Sequence, residues 1–338
     1  MRQTRKPPTM ADVARAAGVS PMTVSRAFKD GSSVSEATRT AIHQAAEELG
    51  YVFDSTASNL RSQRTGFVAV SIPSLNNANF AETVGGLSDT LKQHGLQILL
   101  GYTNYDIHAE EQLIEQLLQR RPEAIVVTGG RHTPRARKLL ENAAIPVVET
   151  WDLPSAPIGH VVGFSNAAAV QAMVDHFVAR GLRKIAFIGG DADRDTRGTD
   201  RRNGFISAMK AYGLDTGRLI AAGVPPISMR EGANAMGRLL EDMPDTEAVI
   251  CVSDLSAFGA LTECQRRGVP VPERISIAGF GDYEIAGISV PSLTTINPHP
   301  RQIGEQAAGI IIEALGSKPL SRQTIAIAPV LQIRGSSV

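Results

Sequence analysis

From Phe67 onward the sequence alternates short apolar runs with amphipathic stretches, and few folds satisfy that alternation. Phe67 to Ile72, Gln97 to Gly101, Ala124 to Thr128 and Val147 to Thr150 read as strands, with helices expected near Phe80 to His94, Ala109 to Gln119 and Pro134 to Asn142. A second series follows in Lys184 to Gly189, Ala248 to Val252 and Ile275 to Phe280, with helices expected near Ala167 to Arg180, Asn203 to Tyr212, Met229 to Glu241 and Ser256 to Arg267. Continuously apolar strands that return through helices build parallel sheets covered on both faces. The repetition suffices for two doubly wound sheets in an α/β chain. A length of 338 residues exceeds one small core and is expected to hold two or three domains.

The first fifty residues follow a different pattern. Thr9 caps a helix with Asp12 in its first turn, and Gly18 stops it with a left-handed backbone. Ser20 caps a second helix whose first position is Pro21, where the missing N–H costs nothing. Ala14, Ala17, Val19 and Val24 are small or apolar where the two helices would cross, which leaves Met22, Thr23, Ser25 and Arg26 facing outward. A helix start with that outward face is suited to reading a DNA major groove. Glu36 to Leu49, capped by Ser35 and ended by Gly50, supplies a third helix through Ala37, Ala41, Ile42, Ala45, Ala46 and Leu49. Ser55 to Ser62 is too short and polar to hold a helix alone, and reads as a linker or as a helix formed when something orders it.

Charge is balanced overall, 34 basic against 34 acidic residues, so no global field points to nucleic acid. Up to Arg64 nine basic residues face six acidic ones, and placed arginines with helix N-termini must supply the phosphate contacts. Arg39 and Lys29 are candidates for that role. The two cysteines, Cys251 and Cys264, lack metal-ligand spacing and read as core thiols in a reducing compartment. The N-terminus is basic and Pro-containing with no apolar signal region behind it, and no segment approaches membrane-spanning length, which points to the cytoplasm. No cofactor or metal motif is present. Ile188-Gly189-Gly190 and Gly279-Phe280-Gly281 lack the full dinucleotide fingerprint, His132 reads as a loop histidine, and catalysis is not expected.

Met10-Ala11-Asp12-Val13-Ala14, Gly18-Val19-Ser20, Thr23-Val24-Ser25-Arg26, Val34-Ser35, Thr38-Arg39, Glu48-Leu49-Gly50-Tyr51 and Asn59-Leu60-Arg61 together resemble the LacI family of transcription factors. The resemblance covers essentially the whole chain. It implies a three-helix helix-turn-helix headpiece over 1–54, a hinge helix or linker over 55–64, and a two-lobed periplasmic-binding-protein-like core over 65–338. One lobe would span about 65–163 and 297–325, the other about 164–296 and 326–338. The implied partner is a palindromic double-stranded DNA operator, contacted through Thr9, Ser20 and Pro21 besides the outward residues above, and through Ala57, Asn59, Leu60 and Arg61 of the hinge, with Leu60 entering the minor groove. No leucine heptad follows the last strand, and the resemblance then implies a homodimer. Val147-Val148-Glu149, Arg131-His132-Thr133-Pro134 and Glu263-Cys264-Gln265-Arg266 are similar to the gluconate-operon repressor branch of that family.

Ligands of doubly wound sheets bind outside the carboxyl ends of the strands. Ser74, Asn76, Asn77, Asn79 and Phe80 follow the first strand; Glu149, Trp151 and Asp152 lie at the end of the fourth; the loops of the second series carry Asp191 to Arg201, Ser253-Asp254 and Gly281-Asp282. Arg197 and Arg201, four residues apart at a helix entrance, share a face and suit a carboxylate or phosphate; a solvated charged loop with internal ion pairs is the other reading. The family places an effector-binding arginine at the position of Arg201. Two-residue alternation puts Trp151 and Glu149 on one side, as a stacking ring beside a carboxylate for a polyhydroxylated ligand, or with Trp151 simply packed between lobes. Asp254 is expected to cap the next helix and Ser253 to meet the ligand, with Asp282 beside it. Sugar-responsive relatives carry Tyr-Asp-Asp where this chain has Phe280-Gly281-Asp282, and polar or aromatic contacts where it has Pro298 and Pro300, which argues against an aldose; the resemblance to the gluconate-operon branch implies a sugar acid such as gluconate or 6-phosphogluconate, which fits the arginine pair. A transport-type sugar-binding protein would share the core but not the headpiece.

Overall fold

The computed structural model describes residues 7–28, 33–53, 65–190, 195–316 and 320–337. The chain forms two compact units, Met1–Thr65 and Gly66–Val338. In the first, α1 (Met10–Ala16) begins in a capping box: Thr9 accepts from the Asp12 amide, and the Asp12 carboxylate accepts from the Thr9 amide at 2.9 Å. Ser20 caps α2 (Pro21–Ala27) and Ser35 caps α3 (Glu36–Leu49), which ends at Gly50 with φ +67°, a conformation glycine adopts without Cβ strain. Val13, Ala14, Val24, Ala27, Ile42, Ala45 and Ala46 form the core of this unit. The expected hinge residues Ala57, Asn59, Leu60 and Arg61, and Lys29, lie outside the described residues.

The second unit holds a six-stranded parallel sheet, in the order β2 (Gln97–Tyr102), β1 (Phe67–Ile72), β3 (Ala124–Thr128), β4 (Val147–Thr150), β5 (His160–Gly163) and β11 (Thr324–Ala326). Its helices are α4 (Ala78–Lys92), α5 (Ile107–Gln119), α6 (Pro134–Glu141) and α12 (Pro300–Ala314). A four-stranded parallel sheet, β7 (Leu219–Ala221), β6 (Ile185–Gly189), β8 (Ala248–Cys251) and β9 (Ser276–Ala278), forms the second lobe with α7 (Asn166–Ala179), α8 (Thr196–Ala211), α9 (Met229–Asp242), α10 (Asp254–Arg266) and α11 (Glu284–Ile288). An antiparallel pair, β10 (Thr295–Asn297) and β12 (Val330–Gln332), lies where the chain leaves and re-enters that lobe. One apolar core runs from Val68 and Val70 through Trp151 and Phe164 to Ile188 and Phe280. α4 and α12 approach so closely that a Cβ on Gly304 would stand 2.0 Å from the Thr83 carbonyl oxygen.

Three features differ from the sequence pattern. Helix α8 starts at Thr196, not near Asn203. Its first turns bury Arg197, Gly198, Arg201 and Gly204, so the inward face carries cations and glycines and shows no apolar periodicity. Strands β5, β7, β10, β11 and β12, of three or four residues each, have no counterpart among the strands expected from the sequence. Helix α12, whose inner face is Ile303, Ala307, Ile310 and Ile311, follows the last of the strand-helix units and escapes a reading built on that alternation.

Candidate functional site

The loops after the strand carboxyl ends of both sheets meet around a cleft. Asn76, Asn77, Asn79 and Phe80 follow β1, Tyr105 follows β2, Trp151 follows β4, and across the cleft stand Asp195, Arg197, Arg201, Pro225, Pro226, Ile227, Val252, Ser253, Leu255, Phe280 and Tyr283. Phe80 meets Trp151 edge-on at 5.2 Å, Trp151 meets Phe164 at 5.8 Å, and Phe164 stacks on Phe280 at 6.0 Å, so an aromatic floor bridges the sheets. Asn166 donates to the Trp151 carbonyl at 3.1 Å, and the Trp151 indole N–H donates to Thr83 Oγ1 at 3.2 Å.

The arginines come from one face of α8. Arg201 Nε donates to Asn166 Oδ1 and its Nη1 to the Val252 carbonyl, both at 2.9 Å, while Cζ lies 3.6 Å from the Phe280 ring centre. Burial lowers its pKa to about 10, against the opposing charge of Asp195, so it stays a cation at neutral pH. Arg197 reaches into the first lobe, donating to the Thr128 carbonyl at 3.4 Å with Phe80 and Tyr105 at 5.7 and 6.0 Å. The tyrosines close the site: Tyr283 donates to Asn77 Oδ1 at 2.8 Å, and Asn77 Nδ2 donates to the Tyr105 hydroxyl at 3.4 Å. Burial raises both phenol pKa values, keeping both hydroxyls neutral donors.

Of the residues expected to meet a ligand, Asn79, Phe80, Trp151, Arg197, Arg201 and Ser253 line this cleft. Ser74, Glu149 and Asp282 do not. Ser74 Oγ accepts from the Asn76 amide at 3.1 Å within its own turn. Trp151 has φ +72°, which breaks the two-residue alternation. Glu149 therefore keeps to the face of Val147, beneath α5 and α6, while Trp151 joins Val148 in the core toward the cleft. Glu149 Oε2 accepts from the amides of Ile158 at 2.6 Å and Gly159 at 3.3 Å, and its Oε1 lies 3.8 Å from His132 Nε2. His132 Nδ1 is 2.9 Å from Glu110. Burial disfavours the imidazolium, but the Glu110 hydrogen bond and the two carboxylate charges outweigh it and raise the His132 pKa to about 9.

Asp282 accepts from Arg334 at 2.6 Å and from Asn297 Nδ2 at 2.9 Å, which ties it to the chain crossing. Ser253, not Asp254, is the N-cap of α10. Asp254 is fully buried, accepting from Thr295 Oγ1 at 2.6 Å and the Tyr283 amide at 2.8 Å, and burial raises its pKa to about 6. Gly281, with φ +132°, leaves its side-chain space to the Tyr283 ring, only 2.4 Å from where a Cβ would stand. Tyr105 and Tyr283 were not singled out by the sequence reading; the signal available for each was a lone aromatic residue just after a strand end.

In the first unit Ser20, Pro21, Met22 and Arg26 are exposed and Thr23 and Ser25 half-buried; Met22 is 61% exposed, unusual for its size unless a partner covers it. Thr9 and Ser20 are engaged as caps, which leaves the amides of the helix starts and the α2 side chains as the outward groups. Arg39 donates to the Ala27 carbonyl, so it also joins α3 to α2. Cys251 and Cys264 are buried free thiols, the latter pushed up to about 12 by burial. No helix among the described residues is long and apolar enough to cross a membrane.

Comparison with known proteins gives these positions a context. Residues 9–54 match the family described as bacterial regulatory proteins, lacI family, and residues 174–337 match a periplasmic binding protein-like domain. The chain is 36% identical over 330 residues, 98% of its length and 96% of the other's, to the HTH-type transcriptional regulator GntR of Pseudomonas aeruginosa. A crystal structure of a transcriptional regulator of the same family from Silicibacter pomeroyi superposes with a TM-score of 0.91 at 32% identity, covering 98% of this chain and 99% of that one. The transcription regulator GntR from Chromobacterium violaceum is similar at 37% identity and a TM-score of 0.75, covering 80% of this chain and 99% of that one.

Proposed function

This chain belongs to the lacI family of bacterial regulatory proteins and is a DNA-binding transcriptional regulator, and from that premise we propose that it is a cytoplasmic, homodimeric repressor of sugar-acid catabolism genes. In this reading residues 1–54 read DNA, 55–64 form the hinge, and the remainder binds an effector and dimerises. One helix-turn-helix reads too few base pairs for genomic specificity, so two act together on a palindromic operator. Met22, Thr23, Ser25 and Arg26 meet base edges, Thr9, Ser20 and Pro21 bring helix N-termini to phosphates, and Ala57, Asn59, Arg61 and the Leu60 wedge act in the minor groove.

The observation that carries the effector assignment is the pair of buried arginines, Arg197 and Arg201, on one wall of a cleft whose other wall belongs to the other lobe. Paired guanidinium groups compensate a buried carboxylate, while Asn76, Asn79, Ser253 and the tyrosine hydroxyls serve a polyol chain. A ligand touching both lobes changes operator affinity to the extent that it prefers one lobe arrangement. Calorimetry with gluconate and 6-phosphogluconate, paired with footprinting on the operator, tests this. The expected result is saturable binding of a sugar acid, two symmetric protected half-sites, and altered protection when the acid is added. Binding of a neutral sugar or a nucleoside, with neither acid bound, rejects the effector assignment and leaves the regulator assignment standing.

A further inference from the structure

Arg197 and Arg201 are not equivalent, and their difference specifies the ligand's charge. Arg201 has committed Nε and Nη1 to protein acceptors and its face to Phe280. Among the described residues Arg197 has one hydrogen bond, a long one of 3.4 Å to Thr128, although it is only 6% exposed. A guanidinium carries five N–H donors, so several of those on Arg197 have no acceptor among the described residues, and its side chain lines the cleft. Its place is also particular: it springs from α8 in the second lobe, yet its head lies among Thr128, Phe80 and Tyr105 of the first.

The acids nearby divide in the same way. Asp254 serves Thr295 and Tyr283, Asp282 serves Arg334, and Asp200 pairs with Arg131 across the lobes. Asp195 alone among the described acids lines the cleft, folded back over Gly198, where a Cβ would stand 2.3 Å from its Oδ2. Its charge acts on both Arg201 and Tyr105. Two cations and one anion thus line the described walls, a net charge of +1 in a largely enclosed site. Uncompensated charge in such a site is costly, and a single negative charge on the ligand cancels it; a second must be desolvated without a partner.

We propose that Arg197 is the acid-reading residue of the cleft, that Arg201 positions it and the polyol, and that Asp195 sets the site to accept a monocarboxylate and to reject dianionic and phosphorylated sugar acids. This rests on the sugar-acid reading above and narrows it. Because Arg197 is seated in both lobes, a carboxylate bound to it joins them, and the acid group rather than the hydroxyls gives the ligand its preference for one lobe arrangement.

Calorimetry on the full chain with D-gluconate, D-glucarate, 6-phosphogluconate and sorbitol decides the matter. The intact protein is expected to bind gluconate at least tenfold tighter than glucarate and 6-phosphogluconate, with sorbitol weaker still. Asp195→Asn is expected to shift the glucarate-to-gluconate affinity ratio at least tenfold toward glucarate, and Arg197→Gln to abolish the preference for gluconate over sorbitol while Arg197→Lys restores part of it. A tighter grip on 6-phosphogluconate by the intact protein, or an unchanged ratio in Asp195→Asn, overturns the charge assignment alone. Loss of acid preference in Arg201→Gln but not in Arg197→Gln overturns the division of roles. Failure of all three acids where sorbitol or a nucleoside binds overturns both this proposal and the reading beneath it. Should Arg197→Gln not fold, the ligand series on the intact protein and the Asp195→Asn ratio are sufficient to decide.

Discussion

The buried Glu110–His132–Glu149 group makes the stability of the core depend on pH in a direction opposite to that of an ordinary buried histidine. His132 has no exposed side-chain surface, and its pKa rises from 6.5 to about 9 on folding. A group with a raised folded pKa contributes its full stabilisation below the unfolded value and loses it as pH climbs through the folded one. At about 1.4 kcal/mol per pKa unit, the shift from 6.5 to about 9 is worth about 3 kcal/mol below the unfolded pKa, of which about three-quarters remains at neutral pH and little by about pH 9.5. The assay is urea unfolding at a series of pH values, followed by the fluorescence of Trp151, the only tryptophan of the chain and 2% exposed in the core. The intact protein should lose about 2–3 kcal/mol between neutral pH and about pH 9.5 beyond any loss in His132→Gln, whose side chain does not titrate. Glu149→Gln should shrink that excess, since it removes a charge facing Nε2 while its amide oxygen can still accept from Ile158 and Gly159. Parallel pH profiles for the intact protein and His132→Gln refute the argument, as does greater stability at the alkaline end.

Three further outcomes follow from the geometry. Gly304→Ala sets a methyl group against the Thr83 carbonyl oxygen and should cost about 1–3 kcal/mol by forcing α4 and α12 apart; an unchanged melting temperature rules out that close packing. Asp282→Asn removes the ion pair to Arg334 at the lobe crossing and should lower core stability by about 1–2 kcal/mol with ligand affinity in calorimetry within twofold of the intact protein; a tenfold affinity loss at unchanged stability returns Asp282 to the binding site. Arg26→Ala should cost about 1–3 kcal/mol on the cognate operator and change the preferred bases in a binding-site selection; equal weakening on every sequence makes it a phosphate contact.

Local physics was legible from the residues alone. Caps at Thr9, Ser20 and Ser35, the glycine stop at Gly50 and the apolar runs of β1, β3, β4, β6 and β8 each rest on interactions within a few neighbours, and those positions carried the helix-turn-helix and the two parallel sheets. The cleft was legible only in outline, because strand ends can be found by period while the direction of a loop side chain depends on backbone angles. Glu149 shows this plainly: the positive φ of Trp151 turns one side chain to the cleft and leaves the other under α5, a reversal that no alternation rule contains. Tyr105 and Tyr283 became site residues only because Asn77 joins them across the lobes. The starts of α8 and α10 were decided in the same way, by what packs against them. Arg197 and Arg201 are buried in α8 because Thr128, Asn166 and Val252, distant in sequence, supply their acceptors, and Asp254 is buried because Thr295 and the Tyr283 amide satisfy its carboxylate. A buried charge is stable only beside partners, and those partners exist only once the chain has folded both lobes around it.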